Sequence, residues 1–459
     1  MKRIFIVFVV SGMAATSSAT IINIPADYPT IQQGIDASSS GDTVLVATGT
    51  YYENLIVSNH DIILASNFIF DGNPATIENT VIDGGDVNTV ITVDDTSCFT
   101  AEIYGLSITN GFWYGNWPDV RGGGIHTGDS IQVKIGNCYI HNNITTGYLS
   151  HGGGIYCNSS NSNIFDCVIY NNESTLGPAI AVGDRTNNVL VERCNIFNNA
   201  CAVSNPAGLS IISISLSSDI TISRSVIHHN GGSGIRNYSS SNTSVIHCSI
   251  ANNSGFGINN IYYDSDIYVL NTISAFNNMG NLYNSDNFFS VAVCEYSDII
   301  DGTGQPWFNE GCIDTDPLFE DTSQNNYYLL GNSPCIDSGD PDSPLDPDGT
   351  TADIGALYFD QTTNLEETVE LPEYSVLLDN YPNPFNAQTN VTFVLAEQSS
   401  VSIAIYNILG QEVECLYDGV KPPGSHTIIW NAGDHPSGIY FAQLKSGDIS
   451  KNVKMILLK

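Results

Sequence analysis

The chain has 459 residues, 42% of them hydrophobic and only 13% charged, with 13 Lys+Arg set against 48 Asp+Glu. No Lys or Arg occurs between Asn237 and Val420. Such a chain can bury a core and is not compositionally disordered, while its negative field excludes nucleic acid and anionic membranes as partners, since both recruit Lys and Arg.

Residues 1–19 read as a secretory signal peptide. Lys2 and Arg3 precede the apolar run Ile4–Val10, which is too short to span a bilayer, and Ser17-Ser18-Ala19 offers small residues for cleavage. No later stretch approaches a transmembrane span. The eleven cysteines do not suggest a dense disulfide framework, because Cys138, Cys167, Cys194 and Cys248 recur at one repeat position as small buried hydrophobes. Cys294, Cys312 and Cys335 lie outside that register, and either contribute one disulfide or remain free thiols.

Residues 20–290 are dominated by a repeat. Cys138-Tyr-Ile140-His-Asn142-Asn143 returns at Cys167–Asn172, Cys194–Asn199, Ser225–Asn230 and Cys248–Asn253, in steps of 29, 27, 31 and 23 residues. A short strand, an Asn corner and Gly-rich turns at this period suit one coil of a parallel β-helix, with loops of unequal length. Cys and Ile, two apart, face the interior, and each Ile packs on the next at about 4.8 Å, the inter-strand spacing. One Asn of each pair is expected to turn inward and hydrogen-bond along the stack. Ala26–Ala37, Gly41–Val46 and Gly49–Asn54 resemble the start of the pectin-lyase-like β-helices, as Gly122–Ile125 and Gly152–Ile155 resemble their turns. That resemblance implies a short helix capping the first coil, with Ile31 and Ile35 inward, and a right-handed coil. It is specific for fold and weak for activity, because the fold hosts lyases, hydrolases, esterases and adhesins.

The outer face of the repeated strand carries two columns, Asn137, Asp166, Arg193, Arg224 and His247 beside His141, Tyr170, Phe197 and His228. Stacked at coil spacing they form a ribbon of aromatic and ionisable groups. It reads either as a solvated face, with an Asp166–Arg193 pair worth little, or as a surface for an extended glycan through Asp166, Tyr170, Arg193, Phe197, Arg224, His228 and His247. His151-Gly-Gly-Gly154 mimics an esterase oxyanion motif, but no Gly-x-Ser-x-Gly elbow and no His-Glu-x-x-His exists. A polysaccharide lyase needs a base, usually Arg or Lys, and the β-helix supplies only Arg121, Lys134, Arg185, Arg193, Arg224 and Arg236.

Residues 291–360 are divergent last coils. Asp340, Asp342, Asp346, Asp348 and Asp353 crowd among Pro and Gly there, giving either a solvated acidic turn or hard oxygen ligands for calcium. Residues 361–371 form a polar linker, and 372–459 alternate in short strands, as in a β-sandwich. Asn380–Asn386, including Pro382, Asn383, Pro384, Phe385 and Asn386, then Ile405–Gln411 with Gly410 and Gln411, Trp430, and Ser437–Phe441 with Gly438 and Tyr440, resemble the type A sorting domain of type IX secretion. The resemblance implies that the type IX machinery is a partner and that the chain reaches the cell surface or the medium. An ordinary Ig-like module is the alternative. The expected fold class is therefore all-β, a right-handed parallel β-helix followed by a small Ig-like β-sandwich. The expected function is a non-catalytic scaffold binding a polysaccharide or surface glycan, with a secreted polysaccharide lyase or glycoside hydrolase as the rival.

Overall fold

The structure is a computed structural model. It describes residues 19–94, 98–115, 121–129, 131–147, 150–158, 160–183, 188–202, 210–214, 218–238, 240–261, 264–285, 290–364, 376–381, 385–395, 399–407, 411–421, 424–433, 435–446 and 449–457. The predicted signal peptide lies outside these residues, apart from Ala19, as do 365–371 of the predicted linker. The chain divides into two compact units, residues 1–359 and 360–459.

In the first unit, parallel strands stack into three long sheets of eleven, ten and nine strands, with a small fourth of four. One coil runs from Gln132–Gly136 in the first sheet to Tyr139–His141 in the second, then to Ile155–Asn158 in the third. The register shows in columns of stacked isoleucines. Ile82, Ile108, Ile140, Ile169, Ile196, Ile227 and Ile250 pair in succession on the second sheet. Ile91, Ile125, Ile155, Ile180, Ile212, Ile235 and Ile258 do so on the third. All are fully buried. The helix Ile31–Ala37 covers the open first coil, as the family resemblance implied. The Thr30 hydroxyl caps it by accepting from Gln33 N, and Ile31 and Ile35 face inward.

The corner after each second-sheet strand holds the inward asparagines. Asn143, Asn172, Asn199, Asn230, Asn253 and Asn277 form a ladder in which each Nδ2 donates to the next Oδ1 at 3.0–3.1 Å. Each Oδ1 from Asn172 to Asn277 also accepts the backbone N–H of the preceding asparagine in the ladder, as from Asn172 N to Asn199 Oδ1 at 3.1 Å. The second Nδ2 hydrogen goes to the carbonyl of a buried Ile, Ile140 O for Asn172. The partner residue at the corner takes the left-handed backbone that Asn tolerates best, φ 54° at Asn142 and 55° at Asn171.

A second left-handed bend separates the first and second sheets, at Asn137, Asp166, Arg193, Arg224, His247 and Asn271. The residue after it donates a side-chain hydrogen bond to the carbonyl two positions earlier: Cys138 Sγ to Gly136 O at 3.3 Å, Ser225 Oγ to Ser223 O at 2.8 Å, Thr272 Oγ1 to Leu270 O at 3.0 Å. Reading the cysteines as small hydrophobes missed this. Cys, Ser and Thr all donate there, although Leu106 fills the same position one coil before Cys138. Cys294, Cys312 and Cys335 are all unpaired. Cys294 lies in the first-sheet core beside Val269, and Cys335 Sγ donates to Asp298 Oδ2 at 3.3 Å.

The divergent segment 313–360 folds back over the outer face of the second sheet. An antiparallel pair, Phe319–Asp321 with Asn326–Leu329, begins it. Phe319, Tyr327, Leu329, Cys335 and Ile354 bury Ala251, Ile273 and Ala275 of the sheet. Asn271 anchors it, accepting Gly355 N on its carbonyl at 2.8 Å and Asp340 N on Oδ1 at 2.7 Å.

The second unit is a sandwich of a three-stranded and a four-stranded antiparallel sheet. Ser399–Asn407 and Gly438–Ser446 pair at its centre, and Phe393, Ile403, Trp430, Leu444 and Met455 fill the space between the sheets.

Two expectations test this account. Asn199→Ala leaves two donors of Asn172 without an acceptor and should cost roughly 3–5 kcal/mol, whereas Asn198→Gly, at the exposed left-handed corner, should be nearly neutral. Chemical denaturation of both variants reads this, and equal effects would refute the ladder's role. His228, fully buried under Tyr327, has its pKa pushed down to about 3, by burial first and by neighbouring His229 second. An unfolded chain protonates it near 6.5, so its contribution is complete above that pH and is lost as the pH falls towards 3. Burial raises Asp298 and Asp353 to about 6, and their contributions run the other way, being lost as the pH rises through 6. His228→Phe should therefore lose less stability than the parent between pH 6.5 and 4, and an identical pH slope would remove His228 from the account.

Candidate functional site

The two predicted columns have different fates. His141, Tyr170, Phe197 and His228 stack face to face at 4.8, 5.3 and 5.3 Å, with interplanar angles of 15°, 5° and 11°. The ring of Tyr327 of the returning segment packs on His228 at 4.7 Å, tilted by 43°. The column then reads Ala251 and Ala275, so Tyr170 and Phe197 stand on uncovered coils, His228 at the edge of the cover and the alanines beneath it. Ring faces spent on one another are not free for sugar faces. Tyr170 and Phe197 offer a sugar only their edges, and His228 is buried, so this column cannot work as the stacking surface expected of it.

The other column lies at the left-handed bend, on the rim of the sheet rather than along its flat face. Arg193 grips Asp166 with both Nε and Nη2, at 2.8 and 2.9 Å, and reaches Glu192 with Nη1 at 2.8 Å. Asp166 first and Glu192 with it hold the guanidinium even more firmly protonated than a free one. Arg224 makes no ion pair among the described residues. His247 is buried beside the returning segment, 3.1 Å from Asn271 Nδ2, and burial lowers its pKa to about 4.

Where the returning segment stops, its edge and the bare sheet enclose a cleft of about 520 Å³. Arg193, Asn195, Arg224 and Val226 form the sheet side, with Tyr327, Tyr328, Pro347, Leu357 and Tyr358 opposite. Tyr328 is 53% exposed and Tyr358 38%, so both offer free ring surface. Among the described residues no Asp, Glu, Lys or His lines the cleft. The tyrosines were missed from sequence, although rings standing in a Pro-, Gly- and Asp-rich segment were a signal that could have found them.

The five aspartates of that segment spend oxygens on the loop itself. Asp340 Oδ1 accepts Asp342 N, Asp348 Oδ1 accepts Thr350 N, and Asp346 Oδ2 accepts Asp353 N. Asp353 accepts Asp337 N on one oxygen and Phe359 N on the other. The carboxylates thus cap the loop's own backbone, and no group of three or more His, Cys, Asp or Glu among the described residues is placed to hold a metal ion.

In the sandwich, Phe385 is buried against Trp430 at 5.4 Å, and Tyr440 is buried with its hydroxyl donating to Pro436 O at 2.7 Å. Gln411 is tied to Asn407, its N–H donating to Asn407 Oδ1 and its Oε1 accepting from Asn407 Nδ2. Asn386 is exposed and Gly438 opens a strand. Pro382, Asn383, Pro384 and Gly410 lie outside the described residues.

No curated protein sequence matches the chain. Among solved structures it is similar to the pectate lyase Pel9A, at 13% identity over 75% of this chain and 97% of that one, with a TM-score of 0.43. It is also similar to the pectin methylesterase PemA from Erwinia chrysanthemi, at 12% identity over 61% and 94%, with a TM-score of 0.36. No helix among the described residues is long and apolar enough to cross a membrane. Residues 379–458 match the family described as the secretion system C-terminal sorting domain, and the protein is accordingly a parallel β-helix that carries a sorting domain for delivery to the cell surface or beyond it.

Proposed function

We propose that this is a non-catalytic glycan-binding protein, displayed or released by type IX secretion, whose ligand lies on the outer face of the second sheet and ends in the cleft at Arg224. The observation that carries the reading is the cleft itself. It pairs free tyrosine rings, suited to the apolar faces of sugars, with Asn195, Arg193 and Arg224 as hydrogen-bond donors to hydroxyls. Six strands separate Thr80–Asp83 from Val226–His228 inclusive, about 24 Å of straight sheet at the inter-strand spacing. That length suits an extended polymer better than a small molecule.

Binding is favoured over cleavage because of what the cleft lacks. A glycosidase brings two carboxylates to the scissile bond, and no Asp or Glu lines the cleft among the described residues. Arg193, held by Asp166 and Glu192, is a poor proton acceptor. One observation favours the lyase reading: Arg224, without an ion pair among the described residues, is free to meet a uronate carboxylate.

Against a panel of neutral and acidic polysaccharides, the protein should retain at least one, and Tyr328→Ala with Arg224→Ala should weaken that binding tenfold or more with little change in melting temperature, as exposed substitutions usually do. Tyr170→Ala should matter less, because its faces are already covered. Unaltered binding in the double variant would sink the cleft. Appearance of unsaturated uronate absorbance, abolished by Arg224→Ala, would make the protein a lyase. For export, a chain ending at Leu371 should accumulate in the periplasm of a type IX-competent host, and surface labelling of that shortened chain would reduce the sandwich to an ordinary module.

A further inference from the structure

The first strand of the β-helix, Ile21–Ile24, stands at one end of the eleven-stranded sheet and pairs with Asp42–Val46, from Ile21 opposite Thr43 onward. Its start is tied down by the residue before it. The Thr20 carbonyl accepts Thr43 N at 2.9 Å. Thr20 N donates to Asp42 Oδ1 at 2.7 Å, and the Thr20 hydroxyl donates to the same oxygen at 2.9 Å. The other carboxylate oxygen accepts Ser39 N at 2.8 Å. Asp42 is 7% exposed, and no Lys or Arg pairs with it among the described residues. His60 acts on it electrostatically, and Asp61 lies beyond Ser40, accepting that hydroxyl at 3.3 Å. The Ala19–Thr20 junction itself is exposed.

A carboxylate so withdrawn from water is costly to leave without a counter-charge. Asp42 aims one oxygen at the nitrogen that follows Ser17-Ser18-Ala19, the small residues suited to cleavage. We propose that the chain is cut between Ala19 and Thr20 and that the new α-ammonium of Thr20 pairs with Asp42, locking the first strand onto the coil. Hydrolysis by a signal peptidase adds one water across that peptide bond. Its oxygen becomes part of the Ala19 carboxylate, and its two hydrogens join the Thr20 nitrogen as an ammonium. The nitrogen then brings a full positive charge and three hydrogens where the amide brought one, and charge-assisted hydrogen bonds are about twice as strong as neutral ones. No rearrangement is needed, since the nitrogen already stands 2.7 Å from Oδ1. An uncut chain keeps the amide and lacks the charge, so its first strand is held less firmly. The inference rests on reading residues 1–19 as a secretory signal and is independent of the glycan reading.

Two measurements separate the cut from the lock. The full precursor is exported from a Sec-competent host and its new N-terminus is sequenced. Thr20 should come first, and an uncut chain or a cut elsewhere would overturn the site. Separately, the full chain beginning at Thr20 is compared with the same chain acetylated at its α-amino group, by thermal unfolding and by amide exchange of Ile21–Ile24. The free amine should melt higher and exchange more slowly. Pairing should raise the amine above its ordinary pKa of about 7.7–8.0, so the advantage is complete below that range and is lost as the pH rises through the folded value. Asp42→Asn should erase the difference between the two chains, while His60→Gln should keep it. Equal melting and exchange of the free and acetylated chains would overturn the lock, as would a difference that survives Asp42→Asn. Should that variant fail to fold, the parent chain still decides, because an α-amine titrating in the ordinary range would overturn the lock by itself.

Discussion

From Asn143 to Asn277 each coil turns on one buried asparagine side chain, and this stretch of the helix depends on that side chain finding its copy in the coil above. An amide can both donate twice and accept twice, so Asn199 binds the backbone and side chain of Asn172 behind it and the side chain of Asn230 ahead. Asp has no donors and Ser has too short a reach, and neither could close this network. A sharp bend that buries backbone groups is otherwise costly. The ladder removes the cost at every coil from Asn143 to Asn277, and it fixes the register that lets isoleucine stack on isoleucine. Loop lengths can then vary freely, because nothing in the stack depends on them.

The second-sheet face is divided between cover and opening by the size of its outward residues. Where Ala251 and Ala275 stand, the returning segment sits close and buries Phe319, Tyr327 and Leu329 against the sheet. Where Tyr170, Phe197 and His228 stand, rings fill the surface and the segment stops. Tyr327 belongs to both, packing with the cover and against His228. The cleft is the step between those two regimes. It is a consequence of packing, and the same packing takes the aromatic ladder out of use as a sugar platform.

Charge is distributed with the same economy. The chain carries a formal charge of −35, yet no carboxylate lines the cleft among the described residues, and the aspartates of the returning segment are turned onto its own N–H groups. In a field so negative, two guanidiniums at one rim stand out. Arg193 is held by Asp166 and Glu192, whereas Arg224 makes no ion pair among the described residues.

The sequence by itself determined the architecture, because a coil of parallel β-helix is specified locally and repeatedly. The Cys-x-Ile-x-Asn-Asn pattern states which side chain faces in, which turns the corner and how far apart the copies lie, and the alternation in Val401–Tyr406 does the same for the sandwich. It could also place Asp166 beside Arg193, since consecutive copies must stack. Only the tertiary structure decided which way rings and carboxylates face. Tyr170 and Phe197 are spaced as well for lying flat on a sugar as for stacking on each other, and the inter-strand spacing of about 4.8 Å, close to a ring-stacking distance, selects the second. The fold-back of residues 313–360 repeats nothing and pairs with coils far away in the chain, so no periodicity announces it, and the cleft, the burial of His228 and His247 and the turning of the aspartates onto the loop's own backbone all follow from it.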